Sequence, residues 1–488
     1  MKVLLINSNS SLISRSWAYK KFFTPIAPLG LAYIAGVLIK NGIEASIIDQ
    51  FATKAGDNEM LELIKTENPQ VIGFSAMTPT MPDIKRLVSR IRKEQRRIKI
   101  VLGNIHATCF PEEVLKDDIA DIVVKGEGEV TMLELCQRLS CGKDLRDLAG
   151  ISFKSDGQIV HNPDRELIED LDSLPFPYWH LLNLDDYRDV PLVAINNARA
   201  FPIMASRGCP YRCYYCSQDK VYNRVRYRNL EKVVDEMEYF SDKFKIKYFG
   251  FNDAYFPADE KTGLEFCNLI IKRKLHKKIR WCTETRVDKV TARLLKAMKE
   301  SGVHVIMYGV EVGNEKILKL LNKNTTLEQA RIAFKQTRKA KIFSQGLFIL
   351  GLPGETVATC RDTVSFAKEL DCDFVKFNLA MPYPGSRFFE DYRKINKMDS
   401  PEKFTSWFDW TAFSGDLIYT PEGMDSQTLR YLQRKAMFEF YVRPKIIFRH
   451  FFRKTISFNN FFYGSIWLVF LLCGGIFSAL KRFFVRSK

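Results

Sequence analysis

Cysteine is sparse in this chain of 488 residues, with only 11, too few for a disulfide scaffold. That sparsity predicts reduced thiols and a cytoplasmic setting. The opening stretch MKVLLINSNS lacks both the apolar segment and the small-residue cleavage site of a secretory leader, so export is not expected. Acidic residues are missing altogether from Tyr441 to Lys488, where nine Lys or Arg stand. More than half of the formal charge of +17 therefore lies in the last tenth of the chain. Charge gathered in this way argues against a nucleic-acid-binding face. The rest of the composition, 46% hydrophobic and 27% charged, is that of a globular protein long enough for two large domains and an appendage.

The N-terminal third alternates apolar runs with amphipathic stretches. The runs are residues 3–7, 45–49, 71–76, 98–103 and 121–129. Five near-continuous apolar strands with helical crossovers predict a flavodoxin-like, doubly wound parallel sheet over residues 1–145. Ligands of such sheets lie beyond the strands' carboxyl ends. Residues 146–195 read as a hairpin and a Pro-punctuated connector. A second series of six apolar runs, at 202–206, 247–253, 279–286, 303–311, 343–351 and 373–382, predicts a partial (β/α)6 barrel of the TIM type over 196–420. Residues 421–488 read as a helical tail. The whole is an α/β chain.

The first barrel strand runs into SRGCPYRCYYCSQDK, where Cys209, Cys213 and Cys216 form CxxxCxxC. Thiols this close admit a zinc site, a disulfide, buried structural thiols or an iron-sulfur cluster. Structural zinc takes four closed ligands, and no fourth is near, since the closest upstream histidine is His180 and the next cysteine is Cys267. Three thiolates on a four-iron cluster would leave one iron open to a ligand that is not protein. A zinc-binding membrane adaptor without catalysis is the rival reading.

The motif, with Tyr215 just before its last cysteine, resembles that of the radical S-adenosylmethionine superfamily. The resemblance implies a 4Fe-4S cluster on the three cysteines, its open iron chelating S-adenosylmethionine, and a low-potential electron donor of flavodoxin or ferredoxin type. It extends to successive strand ends: Asn252 and Asp253 in GFNDAYF, Arg286 in TETRVD, Glu311 in YGVEVGNEKIL, Gly346 and Gly351 in GLFILGLPGET, and the turn PYPGS at 382–386. Those residues, with Tyr215, are expected at S-adenosylmethionine. Asn252 departs from the acidic residue expected there.

The leading domain resembles that of the cobalamin-binding subgroup of these enzymes, through APLGLAYIAGVLIKNG, VLGNIHATCFPEEVL and VVKGEGEVTMLEL. Ser75, Thr78, Gly103, His106, Gly126 and Glu127 are then expected to line cobalamin. The DxHxxG motif that supplies a cobalt-ligating histidine is absent, with Phe51 standing where the histidine would be. His106, in a GNIHAT turn, suits packing or a polar contact better than cobalt. The resemblance implies methylation of an unactivated carbon in a lipophilic or other small-molecule substrate. The runner-up is oxidation or ring closure without methyl transfer, like that of the anaerobic porphyrin cyclases. Residues 461–480 carry no charge and have basic flanks. They meet the minimum length of a bilayer span, and basic flanks on both sides predict an anchor in the cytoplasmic leaflet and membrane-surface contact.

Overall fold

The structure, a computed structural model, describes residues 1–9, 25–187, 198–396 and 417–452. The apolar runs of the N-terminal third become β1 (Lys2–Asn7), β2 (Glu44–Asp49), β3 (Val71–Ser75), β4 (Lys99–Gly103) and β5 (Ile122–Val124). They pair in parallel in the order β2-β1-β3-β4-β5, which puts a crevice at the carboxyl ends between β1 and β3. Alternation along β1 serves both faces, with Val3 and Leu5 in one apolar cluster and Leu4 and Ile6 in the other.

The hairpin is present as β6 (Ile151–Ser155) and β7 (Gln158–His161), but it does not stand apart. Strand β6 pairs antiparallel with β5 and extends the sheet to seven strands, covering what would otherwise be an open edge. The apolar cluster on the Val3 face continues through Trp179 and Tyr187 of the connector into Phe201 and Phe240. The Trp179 and Phe201 rings lie 5.1 Å apart. One core thus joins the two halves.

The second half opens with β8 (Ala200–Ile203) and a short antiparallel pair, β9 (Ser206–Arg207) with β10 (Arg226–Tyr227). It continues with β11 (Tyr248–Phe251), β12 (Arg280–Arg286), β13 (Val303–Glu311), β14 (Phe343–Leu350) and β15 (Phe374–Leu379). Strands β8 and β11 to β15 form one parallel sheet in sequence order, as a partial barrel requires. Its crossover helices begin where Asn229, Asp259, Thr291, Thr326 and Thr356 accept hydrogen bonds from first-turn N–H groups. The expected strand at 202–206 is divided, because the chain leaves the barrel at Met204 and enters the β9–β10 pair, which brackets the cysteines.

The helix Pro444–Phe452 docks at the other end of the barrel. Arg449 pairs with Asp371 at 2.8 Å, and His450 Nε2 lies 3.0 Å from the Asp373 carbonyl, both just before the amino end of β15. Among the described residues no helix is long and apolar enough to cross a membrane. The run 461–480 lies outside them.

Candidate active site

All three cysteines of the motif sit in the loop between β9 and β10, half-buried and free. Gly208, at φ 98°, starts this loop, and a side chain there would begin 2.2 Å from the Arg224 carbonyl oxygen. Only glycine lets the loop close so tightly. Tyr214 fixes its far side, donating its N–H to the Leu321 carbonyl at 2.9 Å and accepting from Phe388 at 3.0 Å. Burial raises the pKa of all three thiols, that of Cys216 to about 11, while the cations Arg286 and Lys323 act the other way on Cys209 and Cys213. The thiols therefore stay protonated until a cation takes them, and metal loading releases protons. Among the described residues no three His, Cys, Asp or Glu are gathered closely enough to hold a single ion. Separate corners of a larger cluster suit this donor set better than a tetrahedral zinc.

Strand ends bring the other expected residues to this loop, with different tasks. Asp253 does not face open space: its carboxylate accepts from Ser206 Oγ at 2.6 Å and from the Ala205 N–H at 3.1 Å, and burial pushes its pKa to about 7. It anchors the start of the cysteine loop. Asn252 beside it is exposed at the strand end. Arg286 lies over the ring of Tyr211, from within the motif, with its guanidinium 3.5 Å from the centroid, and is oriented by Asp288 at 2.9 Å. The Tyr215 hydroxyl oxygen accepts a hydrogen bond from the Lys323 ammonium at 3.4 Å. Glu311, at φ 71° after a register shift in β13, forms a buried ion pair with the same lysine. Gly346 packs against the Phe348 ring, 2.7 Å from where a side chain would begin, so it serves close packing within the barrel wall. Gly351, at φ 87°, turns the chain after β14, and the Glu355 carboxylate closes that turn by accepting from the Gly351 N–H at 2.7 Å and the Leu352 N–H at 2.9 Å.

Three residues that sequence reasoning missed complete the site. Lys323 lies 12 residues beyond its partner Glu311, in no motif. Glu284 on β12 and Lys376 on β15 are exposed in mid-strand, although the residues on either side of each are buried. In a sheet whose outer face is covered by helices, such a side chain reaches solvent only through the barrel interior. Although its surface is open to that interior, Glu284 is surrounded by the barrel wall, and this enclosure together with Glu311 raises its pKa, while Lys376 opposes them. On the same face lie the apolar Met307, Leu347 and Ile349, in register with or beside these charges, together with the polar Gln345 and Asn378.

The expected cobalamin residues lie along the carboxyl edge of the first sheet. Ser75 accepts a hydrogen bond from Asn104 at 3.0 Å, and Gly103 ends β4. His106 Nδ1 is 3.1 Å from Thr78 Oγ1, its ring packs 5.1 Å from Phe110, and burial lowers its pKa to about 3. Its imidazole is therefore neutral and mostly buried. Asp49, just before the position of the missing histidine, is tied instead to the Tyr187 hydroxyl at 2.7 Å. Gly126, at φ 67°, has open space where a side chain would begin. Glu127 departs from expectation: Arg207, Arg226 and the Ile168 N–H take up both of its oxygens. The same edge carries a buried Ser8 hydroxyl without a hydrogen-bond partner among the described residues and an apolar side chain, Met77, that is 50% exposed. Open backbone, a buried hydroxyl and exposed apolar surface suit a large ligand with an apolar face and a polar, amide-bearing rim, such as a corrin.

This edge meets the barrel mouth. A side chain at Gly385, in the turn after β15, would begin 3.0 Å from Lys220, just past the cysteines, and 3.2 Å from Cys109 Sγ of the first sheet's loops. Phe110 and Phe389 pack at 5.7 Å across the same seam.

Comparison with known proteins gives the same two parts. The B12 binding domain family matches residues 20–136 and the radical SAM superfamily matches 203–367. An uncharacterized methyltransferase of Pyrococcus horikoshii is 32% identical, with 86% of this chain and 88% of the relative covered. An anaerobic magnesium-protoporphyrin IX monomethyl ester cyclase of Rubrivivax gelatinosus is 31% identical, over 90% of this chain and 79% of the relative. Among solved structures, the radical S-adenosylmethionine methyltransferase TsrM of Kitasatospora setae, with cobalamin and a [4Fe-4S] cluster bound, superimposes with a TM-score of 0.65 at 20% identity, covering 81% of this chain and 75% of that one. The chain belongs to the cobalamin-dependent radical S-adenosylmethionine enzymes, whose cofactors are a [4Fe-4S] cluster, S-adenosylmethionine and cobalamin.

Proposed function

We propose that this enzyme transfers a methyl group to an unactivated carbon of a small molecule held in the barrel interior. The observation that carries this reading is the seam at Gly385, where the end of the cysteine loop and the first sheet's carboxyl edge come together. Cys209, Cys213 and Cys216 would hold three irons. Tyr215, Asn252, Arg286, Glu311 and the Gly351 turn would surround S-adenosylmethionine, while Asp253 keeps the cysteine loop in place. Ser75, Thr78, Gly103, His106 and Gly126 would line cobalamin. When bound, these groups supply a 5'-deoxyadenosyl radical and a methyl donor. The chain's own part is to align them with the substrate and to keep water from the interior, by Met307, Leu347 and Ile349. Glu284 and Lys376, opposite charges without a side-chain hydrogen bond or salt bridge to another described residue, give the substrate polar points of attachment on that wall, so an amphiphilic molecule fits better than a purely hydrocarbon one.

The test is an anaerobic incubation of the reconstituted full chain with S-adenosylmethionine, cobalamin, a low-potential reductant and cell extract as the source of substrate. Both 5'-deoxyadenosine and S-adenosylhomocysteine are expected. The cyclase relative at 31% identity favours a second reading, oxidation or ring closure, for which 5'-deoxyadenosine would rise alone.

We further propose that the C-terminal tail holds the enzyme at an anionic membrane surface. Support comes from the helix Pro444–Phe452, which turns Arg449 inward to Asp371 and leaves Phe448, Phe451 and Phe452 exposed by 60, 68 and 75%. The following residues are basic and then uncharged. Because this helix docks at the amino end of β15, a bound membrane would face the end of the barrel opposite the cysteines. The full chain is expected to float with phosphatidylglycerol vesicles at low salt and to detach from neutral phosphatidylcholine vesicles. Equal flotation with both, or none, would refute this placement.

A further inference from the structure

The GEGE turn after β5 presents open backbone at Gly126, but the next side chain turns inward to the base of the cysteine loop. Glu127 accepts from Arg207 at 2.7 Å and from Arg226 at 2.8 and 3.1 Å, and Glu129 accepts from Arg207 at 2.5 Å. All four side chains are 3–7% exposed. The two arginines are also direct cross-strand neighbours, the last residue of β9 facing the first of β10. Like charges in that position repel. Two buried guanidiniums facing each other would open a strand pair only two residues long, were it not for the carboxylate bridging them. The bridging carboxylate comes from the cobalamin domain. Closure of the loop carrying Cys209, Cys213 and Cys216 therefore depends on a group one residue from the open backbone at Gly126.

We propose that Glu127 is a positioning residue that sets the cysteine loop against the cobalamin face, so that occupancy of the two sites is thermodynamically tied. This rests on the cofactor placement above but not on methyl transfer. A network that is fully satisfied only in one arrangement of turn and loop favours that arrangement when either ligand binds. The coupling is reciprocal, so the cluster must tighten cobalamin by the factor that cobalamin tightens the cluster.

The experiment is ultrafiltration of hydroxocobalamin with the full chain, before and after anaerobic iron and sulfide reconstitution, with bound cobalt counted by mass spectrometry. Cluster loading is expected to lower the Kd about tenfold, a coupling of about 1.4 kcal/mol. In Glu127→Gln at matched iron content, the ratio should fall to within about twofold of unity. A wild-type ratio of one, or a variant that keeps the tenfold ratio, overturns the proposal and leaves methyl transfer untouched. Absence of cobalamin binding in both states overturns both. Should Glu127→Gln fail to fold, Glu127→Gln/Arg226→Gln carries the same readout, because it leaves Arg207 and Glu129 as a balanced pair.

Discussion

Replacing Cys213 with alanine is expected to reduce 5'-deoxyadenosine release to the level of a no-enzyme control. The loss should exceed the roughly 10–100-fold seen when only an outer-shell partner of a metal ligand is removed. Cys213 is the middle thiol of a loop pinned at both ends, by Gly208 against Arg224 and by Tyr214 against Leu321 and Phe388. Such a loop has little freedom to bring another side chain into the vacant position. Cys109, the cysteine close to Lys220 across the seam, has its thiol pKa pushed to about 11 by burial and is a poor substitute. The same substitution should leave the fold intact, since Cys213 is half-buried and carries no ion pair. The checks are iron and sulfide per chain, the electron paramagnetic resonance signal of the reduced protein, and product release under reductant. Retained cleavage of S-adenosylmethionine with a normal cluster signal would remove Cys213 from the ligand set.

Much of this architecture is legible in the sequence because the relevant signals are local. Apolar runs at β-strand length, separated by helical stretches, are enough for both parallel sheets, and three cysteines within eight residues mark their own loop. The groups that organise the site are not legible in this way. Glu127 finds Arg207 and Arg226 some 80 and 99 residues onward, and nothing in a GEGE turn distinguishes a carboxylate that will contact a ligand from one that will bridge two arginines. Asp253 stands at the expected strand end, yet its hydrogen bonds run to Ala205 and Ser206, backward along the chain. Glu284 and Lys376 look like surface charges until the register shows which face of each strand is inside. Charge pairing across a fold leaves no periodicity behind, whereas hydrophobic burial does.

Removing Lys323 is expected to be the most damaging change outside the cysteines. Its side chain is 7% exposed and pairs with that of Glu311, which is 9% exposed. Breaking a buried pair from one side leaves the other charge without compensation, at a cost of about 3–5 kcal/mol. The local backbone has no easy way to relieve that cost. Glu311 is held at φ 71° where the register of β13 shifts, and the glycine two residues earlier is required, because a side chain at Gly309 would begin 2.6 Å from both Glu311 Oε1 and Lys323 Nζ. A non-glycine residue held in that region is itself strained by about 1–3 kcal/mol, and strain of this sort persists where the surroundings fix one geometry. Lys323→Ala should therefore lower stability in urea by about 3–5 kcal/mol and abolish S-adenosylmethionine binding, because the Tyr215 hydroxyl and the Glu311 carboxylate both lose the group that orients them. The double variant Lys323→Ala/Glu311→Gln separates the two effects. With no charge left unpaired it should recover most of the stability but none of the affinity, as measured by equilibrium dialysis of S-adenosylmethionine. Recovery of both would reduce the pair to a structural ion pair, and loss of neither in Lys323→Ala would show that Glu311 is oriented by something else.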